Sequence, residues 1–205
     1  CGDGMAFASG DPSFGLVSTD GKATTLRRPV TADMRAKREG AFTVSADGRM
    51  LRFGLGYGDQ EPVRFDLAGA RLEPSPTAVA GLSAAKHDGL PVSDWKNTSK
   101  PLLAGKSLEL AAYETSRALA VRPAGDGFVL GADWWLRGFD ATGKSIWETS
   151  VPGVAWGVNL AQGGKLVVAA LGDGTIRWYR WSDGKELLAL FVHALDKRWV
   201  AWTPS

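Results

Sequence analysis

The stretch "VAWGVNLAQGGKLVVAALGDGTIRWYRWSDGKELLALF", residues 154–191, decides the fold of this chain. Its short apolar runs are separated by turns rich in Gly and Asp, which predicts four strands near 154–159, 165–171, 175–181 and 186–191. The third run, "TIRWYRW", carries large side chains on both faces, whereas a half-buried strand alternates apolar and polar residues. We therefore expect this strand to be covered on both sides.

The same pattern of short runs and turns recurs along the chain. It is found in residues 41–74 and 117–153, and residues 2–29 match the last three strands of a unit. The last two units are roughly forty residues apart, which is the period of a four-stranded propeller blade. Turn glycines recur at matching places: Gly4, Gly48, Gly127 and Gly164 in the first turn, and Gly21, Gly69, Gly143 and Gly184 in the third.

These repeats predict an all-β chain in which residues 1–205 form one β-propeller region. Its blades are four-stranded antiparallel sheets, and about four of them form a partial ring. Within the third run of the last unit, Ile176 and Trp178 should face one neighbouring blade, and Tyr179 and Trp181 the other. Such a ring exposes edge strands and apolar faces, so we expect completion by a protein partner, another copy or the rest of the same polypeptide.

Besides a short polar loop at 31–40, two longer segments fall outside the repeat. Residues 75–116 are rich in Pro, Ser, Ala and Gly, and they form either a decorated loop or a degenerate extra blade. We favour a long ordered insertion that contains some strand. Residues 192–205 form a tail whose "RWVAWTPS" resembles the opening strand of a further unit.

Composition excludes several classes of protein. The net charge of +2 argues against a strongly basic nucleic-acid surface but leaves a local basic patch open, and no apolar run reaches the roughly 18 residues of a membrane helix. The single cysteine allows no internal disulfide. We expect a cytoplasmic chain that does not contact a membrane.

Candidate catalytic and ligand-binding residues are few. We interpret His87 as a solvated loop residue and His193 as a surface hydrogen-bonding group, and no Cys or His cluster has metal-ligand spacing. Cys1 begins either the first turn of an incomplete blade, which we favour, or a lipoprotein-type N-terminus. Arginines mixed with aromatics at 132–140 and 172–181 are typical of single-stranded nucleic-acid platforms, but we favour packing between blades. We predict no catalytic, cofactor-binding or metal-binding residue.

The units resemble the WD40 repeat, in which a Trp-Asp pair ends the third strand of each blade. The corresponding pairs here are Phe65-Asp66, Phe139-Asp140 and Tyr179-Arg180, while the Gly-His pair that opens many WD40 repeats is absent. The resemblance makes this a divergent WD40-like propeller. The structural blade positions that we predict are Phe65, Asp66, Phe139, Asp140, Asp173, Trp178, Tyr179 and Gly184.

A narrower resemblance covers roughly residues 90–204. "SDWKNTSKPLLAGKSLEL" (93–110), the last unit and "KRWVAWTP" (197–204) look like the C-terminal propeller of large bacterial WD40 proteins, which is commonly joined to a caspase-like cysteine peptidase. The resemblance implies a non-catalytic region of a longer polypeptide. It would act as a scaffold that binds proteins, senses a signal or recruits substrate, and so regulates the peptidase.

One unit supports an alternative function. "RGFDATGKSIWETSVPG" (137–153) is similar to the blade motif of quinoprotein propellers, in which the Trp docks on the next blade. That similarity implies an enzyme that binds a quinone cofactor with calcium. The other three units lack this Trp.

Overall fold

The computed structural model describes residues 4–8, 14–27, 30–35, 40–75 and 79–204, so Cys1 lies outside the described residues. The described ranges are built from twenty strands in five antiparallel sheets, with one 3-10 turn at Gln162–Gly164. No helix in these ranges has the length and apolar character needed to cross a membrane.

Three sheets have the form of propeller blades, and two are smaller. The N-terminal sheet, in the order β1-β2-β3, contains β1 (Gly4–Ala8), β2 (Phe14–Ser18) and β3 (Ala23–Arg27). The first blade, in the order β7-β6-β5-β4-β8, contains β4 (Thr43–Ser45), β5 (Met50–Gly56), β6 (Gln60–Asp66), β7 (Arg71–Pro74) and β8 (Leu82–Ser83). The small sheet, in the order β11-β10-β9, contains β9 (Val92–Ser93), β10 (Leu102–Leu103) and β11 (Lys106–Ser107).

The other two blades are uninterrupted meanders. The second blade contains β12 (Ser116–Val121), β13 (Gly127–Ala132), β14 (Trp135–Asp140) and β15 (Ser145–Ser150). The third blade contains β16 (Ala155–Ala161), β17 (Leu166–Leu171), β18 (Thr175–Arg180), β19 (Glu186–Val192) and β20 (Trp199–Trp202). The strands of the last repeat therefore begin and end within two residues of the predicted positions, because Gly and Asp turns fix them.

The blades pack face to face around their first strands. Strand β16 contacts both β4 and β12, so the third blade lies between the first and second blades. One buried cluster joins the first and third blades, another joins the second and third, and a smaller one joins the second blade to the small sheet. This is the packing of a β-propeller, and the blades of the described ranges do not close a ring, as the sequence repeats predict.

Strand β18 is covered on both faces. Ile176 and Trp178 belong to the cluster shared with the first blade, whereas Tyr179 and Trp181 belong to the cluster shared with the second blade. The alternation of side chains predicts this division. The large residues of this strand are therefore packing residues, as expected for a strand between two neighbouring sheets.

Two tryptophans hold neighbouring blades together by hydrogen bonds. Trp178 Nε1 donates to the carbonyl of Gly48 at 2.8 Å, and Trp147 Nε1 donates to the carbonyl of Trp181 at 2.5 Å. In both places a side chain from the neighbouring blade comes close to the backbone of a turn glycine. Gly48 has φ +76° and Gly184 has φ +67°, and a Cβ there would lie within 2.7 Å of Leu166 or 2.5 Å of Thr149. Glycine is required for both the backbone conformation and the space.

The tail corrects one expectation. It does not open a further unit, because β20 pairs with β19 at the outer edge of the third blade. A tight turn reverses the chain, with the N–H of His193 donating to the carbonyl of Arg198 at 2.8 Å. Trp199 then packs edge-on against Phe65 of the first blade, with ring centroids 5.0 Å apart. The tail thus links two blades.

Residues 79–115 form an ordered insertion with short strands. Strand β8 joins the first blade, and β9–β11 form the small sheet. The N–H of Val121 donates to the carbonyl of Lys86 at 2.7 Å, which attaches the insertion to the second blade. Two predicted turn glycines lie elsewhere, since Gly4 and Gly127 begin strands β1 and β13.

Candidate functional site

A cleft of about 290 Å³ opens where the first strands of the blades begin. Phe42 precedes β4, Arg117 lies at the start of β12, and Trp156 lies at the start of β16. The insertion closes another side of the cleft. The polar and aromatic residues that line it are Arg35, Phe42, Tyr57, His87, Trp95, Lys96, Asn97, Arg117 and Trp156.

The antiparallel order of the strands places particular turns at this end of the molecule. A turn that joins the second and third strands lies beside the start of the first strand. The turns concerned are 57–59 in the first blade, 133–134 in the second and 172–174 in the third. This end therefore has loops held by rigid sheets, an arrangement that often carries binding residues.

Aromatic rings form much of the cleft wall. The guanidinium of Arg117 lies 5.3 Å from the ring centroid of Trp156, and that of Arg35 lies 4.9 Å from the ring centroid of Tyr57. Both distances fall in the range of cation–π contacts. The cleft thus has flat rings in fixed positions, which favours apolar or planar ligand groups.

The basic side chains of the cleft differ in whether a carboxylate partner neutralises them. Arg117 binds Asp133 through Nε and Nη2 at 2.8 and 3.1 Å, and its Nη1 donates to Asn97 Oδ1 at 3.1 Å. Arg35 pairs with Asp33 at 2.5 Å. Among the described residues, no carboxylate lies within ion-pair distance of the exposed Lys96. No Asp or Glu is among the described residues that line the cleft.

Two further aromatic residues lie exposed on loops at this end of the second blade. Tyr113 is 99% exposed with φ +65°, and Trp134 is 56% exposed with φ +63°. Bulky residues rarely adopt positive φ, and such conformations concentrate at binding sites. The carbonyl of Trp134 accepts a hydrogen bond from the N–H of Val151 at 2.9 Å, which fixes the turn.

The predicted blade positions lie away from the cleft lining. Phe65, Phe139 and Tyr179 are buried at the ends of the third strands, and burial raises the pKa of the Tyr179 hydroxyl. Among the described residues that hydroxyl has no hydrogen-bond partner. These three positions serve packing within and between the blades.

The predicted aspartates organise turns. Asp66 Oδ1 accepts the N–H groups of Ala68 and Gly69 at 3.0 and 3.1 Å. Asp140 Oδ1 accepts the Thr142 hydroxyl at 2.6 Å, which lowers the pKa of the aspartate. An Asp that binds its own turn is a common device for hairpins.

Asp173 accepts hydrogen bonds within its turn and also forms an ion pair. Its Oδ1 accepts the N–H and hydroxyl of Thr175 at 3.0 and 2.7 Å, and its Oδ2 lies 3.2 Å from Arg177 Nη2. Arg177 also pairs with Glu186 at 2.9 Å. The turn before β18 is therefore tied to the sheet by charge as well as by backbone.

The two histidines have different surroundings. His87 lies in a loop, as expected, but it is half-buried and lines the cleft, with its ring centroid 4.9 Å from that of Trp95. His193 Nδ1 lies 2.9 Å from Asp196 Oδ1 in the tail turn, a hydrogen-bonding position. The described residues contain no group of three His, Cys, Asp or Glu side chains placed to hold a metal ion.

Sequence reasoning missed the cleft itself. Trp95, Lys96, Arg117 and Trp156 come from three segments that lie far apart in the chain. One local signal was present, since Trp95 stands alone among polar residues in "SDWKNTSK". A large aromatic ring in a polar loop suggests that the folded chain covers or uses it.

Comparison with known proteins adds no argument about the family or the function of this chain. No protein-family model matches the sequence, and no curated protein matches it. Among solved structures, the β-propeller domain of Cps50 (Swd1) from Myceliophteria thermophila aligns over 87% of this chain, with 17% identity and a TM-score of 0.35. The chain covers 62% of that domain. The propeller assignment therefore rests on the blades of this chain and on how they pack.

Proposed function

We propose that this chain is a non-catalytic propeller scaffold that binds a segment of a protein partner at the first-strand end of its blades. The observation that carries the proposal is the cleft, flanked by exposed aromatic rings on sheet-held turns. Tyr and Trp are enriched in protein interfaces, where they supply large contact areas at low cost in entropy. Tyr57, Tyr113 and Trp134 provide such groups here.

The chemistry of the cleft lining favours binding. Its described residues offer rings, cations and one amide, and none is Ser, Cys, Asp or Glu. The imidazole of His87 lies against Trp95, at ring-contact distance. A site for nucleophilic or acid–base chemistry needs paired groups of the kinds that this lining lacks. Rings with a few polar groups are typical of recognition sites.

A more specific role comes from resemblance. Residues 90–204 resemble propeller segments of bacterial proteins that carry a caspase-like peptidase, so we propose that the scaffold recruits or senses partners for such a peptidase. The segment Asp94–Asn97 belongs to that resemblance, and three of its residues line the cleft. The same residues thus connect the resemblance to the proposed binding site.

The partner-binding role can be tested with an unbiased peptide library. We expect a phage-displayed library of random peptides, selected on the whole chain, to yield binders that compete for one site. Tyr57→Ala and Trp134→Ala should each weaken them about tenfold, the effect typical of an interface residue that matters. Affinities would be measured by fluorescence anisotropy.

A matched control comes from the other side of the second blade. Ile146 is an exposed apolar residue on the outer strand β15, and Ile146→Ala should leave the affinity unchanged. Selected peptides that bind equally well to Tyr57→Ala, Trp134→Ala and Ile146→Ala would contradict the proposal. A library that yields no binder at all would also contradict the proposal.

A further inference from the structure

We infer that the partner segment is acidic and that one of its carboxylates pairs with Lys96 in the cleft. This inference rests on the proposed function and names the chemistry of the partner. Lys96 lies between Trp95 and Asn97 in the insertion, and all three residues line the cleft. The juxtaposition of one uncompensated cation with aromatic walls defines the ligand.

The pairing of charges within the cleft leaves room for one carboxylate of the ligand. The guanidinium of Arg117 is held in two bonds by Asp133, and that of Arg35 by Asp33. These two arginines are thus compensated within the chain, and they position the rings of Trp156 and Tyr57. Lys96 is the one cation of the described lining residues without a carboxylate within ion-pair distance. An incoming anion would therefore pair with its ammonium group.

The same balance disfavours nucleic acid. Proteins that bind a phosphate backbone neutralise several phosphates, and affinity rises with the number of cations supplied. The described cleft lining supplies one uncompensated cation, and the whole chain has a net charge of only +2. A peptide carboxylate needs a single cation, and its neighbouring apolar groups can lie on the rings.

The size of the cleft limits what enters it. Its volume of about 290 Å³ lies at the lower end of the range for ligand pockets. That space holds one or two side chains of a segment that lies across the opening. Trp134 and Tyr113, on the neighbouring loops, would contact the remainder of the segment.

The inference is tested with defined probes and the whole chain. The probe is the fluorescently labelled blocked peptide acetyl-Glu-Glu-Trp-Glu-Glu-amide, compared with the same peptide carrying Gln at each Glu. We expect the acidic peptide to bind about tenfold more tightly, and its affinity to fall as salt concentration rises. Equal affinity of the two peptides would overturn the inference.

Variants locate the interaction. Lys96→Glu should weaken the acidic peptide about tenfold or more, and Lys96→Gln should weaken it less, because the first repels and the second only removes charge. The control Lys165→Glu makes the same change in net charge at an exposed residue before β17, and it should leave the affinity unchanged. If Lys96→Glu and Lys165→Glu have equal effects, the pairing with Lys96 is wrong.

The remaining outcomes separate this inference from the proposed function. Library-selected neutral peptides that depend on Tyr57 but not on Lys96 would overturn the acidic partner and leave the scaffold role intact. A short oligo(dT) that displaces the acidic peptide in a Lys96-dependent way would overturn the inference in favour of nucleic acid. Loss of all peptide binding would remove both proposals.

Discussion

The third blade and the N-terminal sheet have similar hairpins but opposite surroundings. Every residue of β17 is buried between neighbouring blades. In the N-terminal sheet, Met5, Leu16 and Leu26 are 71%, 47% and 59% exposed, and none of the buried clusters of the described residues includes a residue of β1–β3. A three-stranded sheet of this type has little core of its own, and independent stability requires packing against another element.

The strongest test of this comparison removes a side chain between two blades. Trp178→Ala should lower the free energy of unfolding by about 3–5 kcal/mol, because it opens a cavity between the first and third blades and leaves the Gly48 carbonyl unpaired. Chemical denaturation would measure the change. The control Trp134→Ala, at an exposed tryptophan, should change stability by no more than about 0.5 kcal/mol. Equal losses would contradict the burial of Trp178 between the first and third blades.

A smaller effect is expected where one hydrogen bond is removed. Trp147→Phe keeps an aromatic ring on Gly184 but removes the donor to the Trp181 carbonyl, and we expect a loss of about 1–3 kcal/mol. Thermal unfolding followed by near-ultraviolet circular dichroism would report it. Unchanged stability would show that the second and third blades are joined by ring packing alone.

The smallest effect is expected in the N-terminal sheet. Leu16→Thr should change the free energy of unfolding by no more than about 0.5 kcal/mol, since the side chain is half-exposed and Thr suits a strand. The measurement is the same denaturant titration. A loss of more than about 1 kcal/mol would mean that this sheet is covered in solution, by another part of the chain or by a second copy.

Strand and turn positions could be predicted because they depend on neighbouring residues. Gly48, Asp140 and Gly184 each act within a short turn, where the two glycines adopt positive φ and Asp140 accepts the N–H of Thr142 two positions away. The two-sided packing of β18 was also readable, because a strand with Trp178 on one face and Tyr179 on the other must bury both. These features belong to single units of the repeat.

The tail shows where local patterns fail. "RWVAW" has the composition of a first strand, yet β20 lies at the outer edge of the third blade. Its position depends on the turn at Lys197, which has φ +64°, and on the contact between Trp199 and Phe65. A pattern of apolar residues predicts a strand but does not determine which edge the strand will join.

The sequence by itself determined a β-rich chain of short hairpins repeated at blade spacing, because apolar periodicity and turn chemistry act over a few residues. Only the tertiary structure decided where the cleft lies, which arginines are already compensated, and that no carboxylate of the described residues lies within ion-pair distance of Lys96. These properties depend on distances between residues far apart in the chain, such as Trp95 and Trp156. Packing of the blades sets those distances.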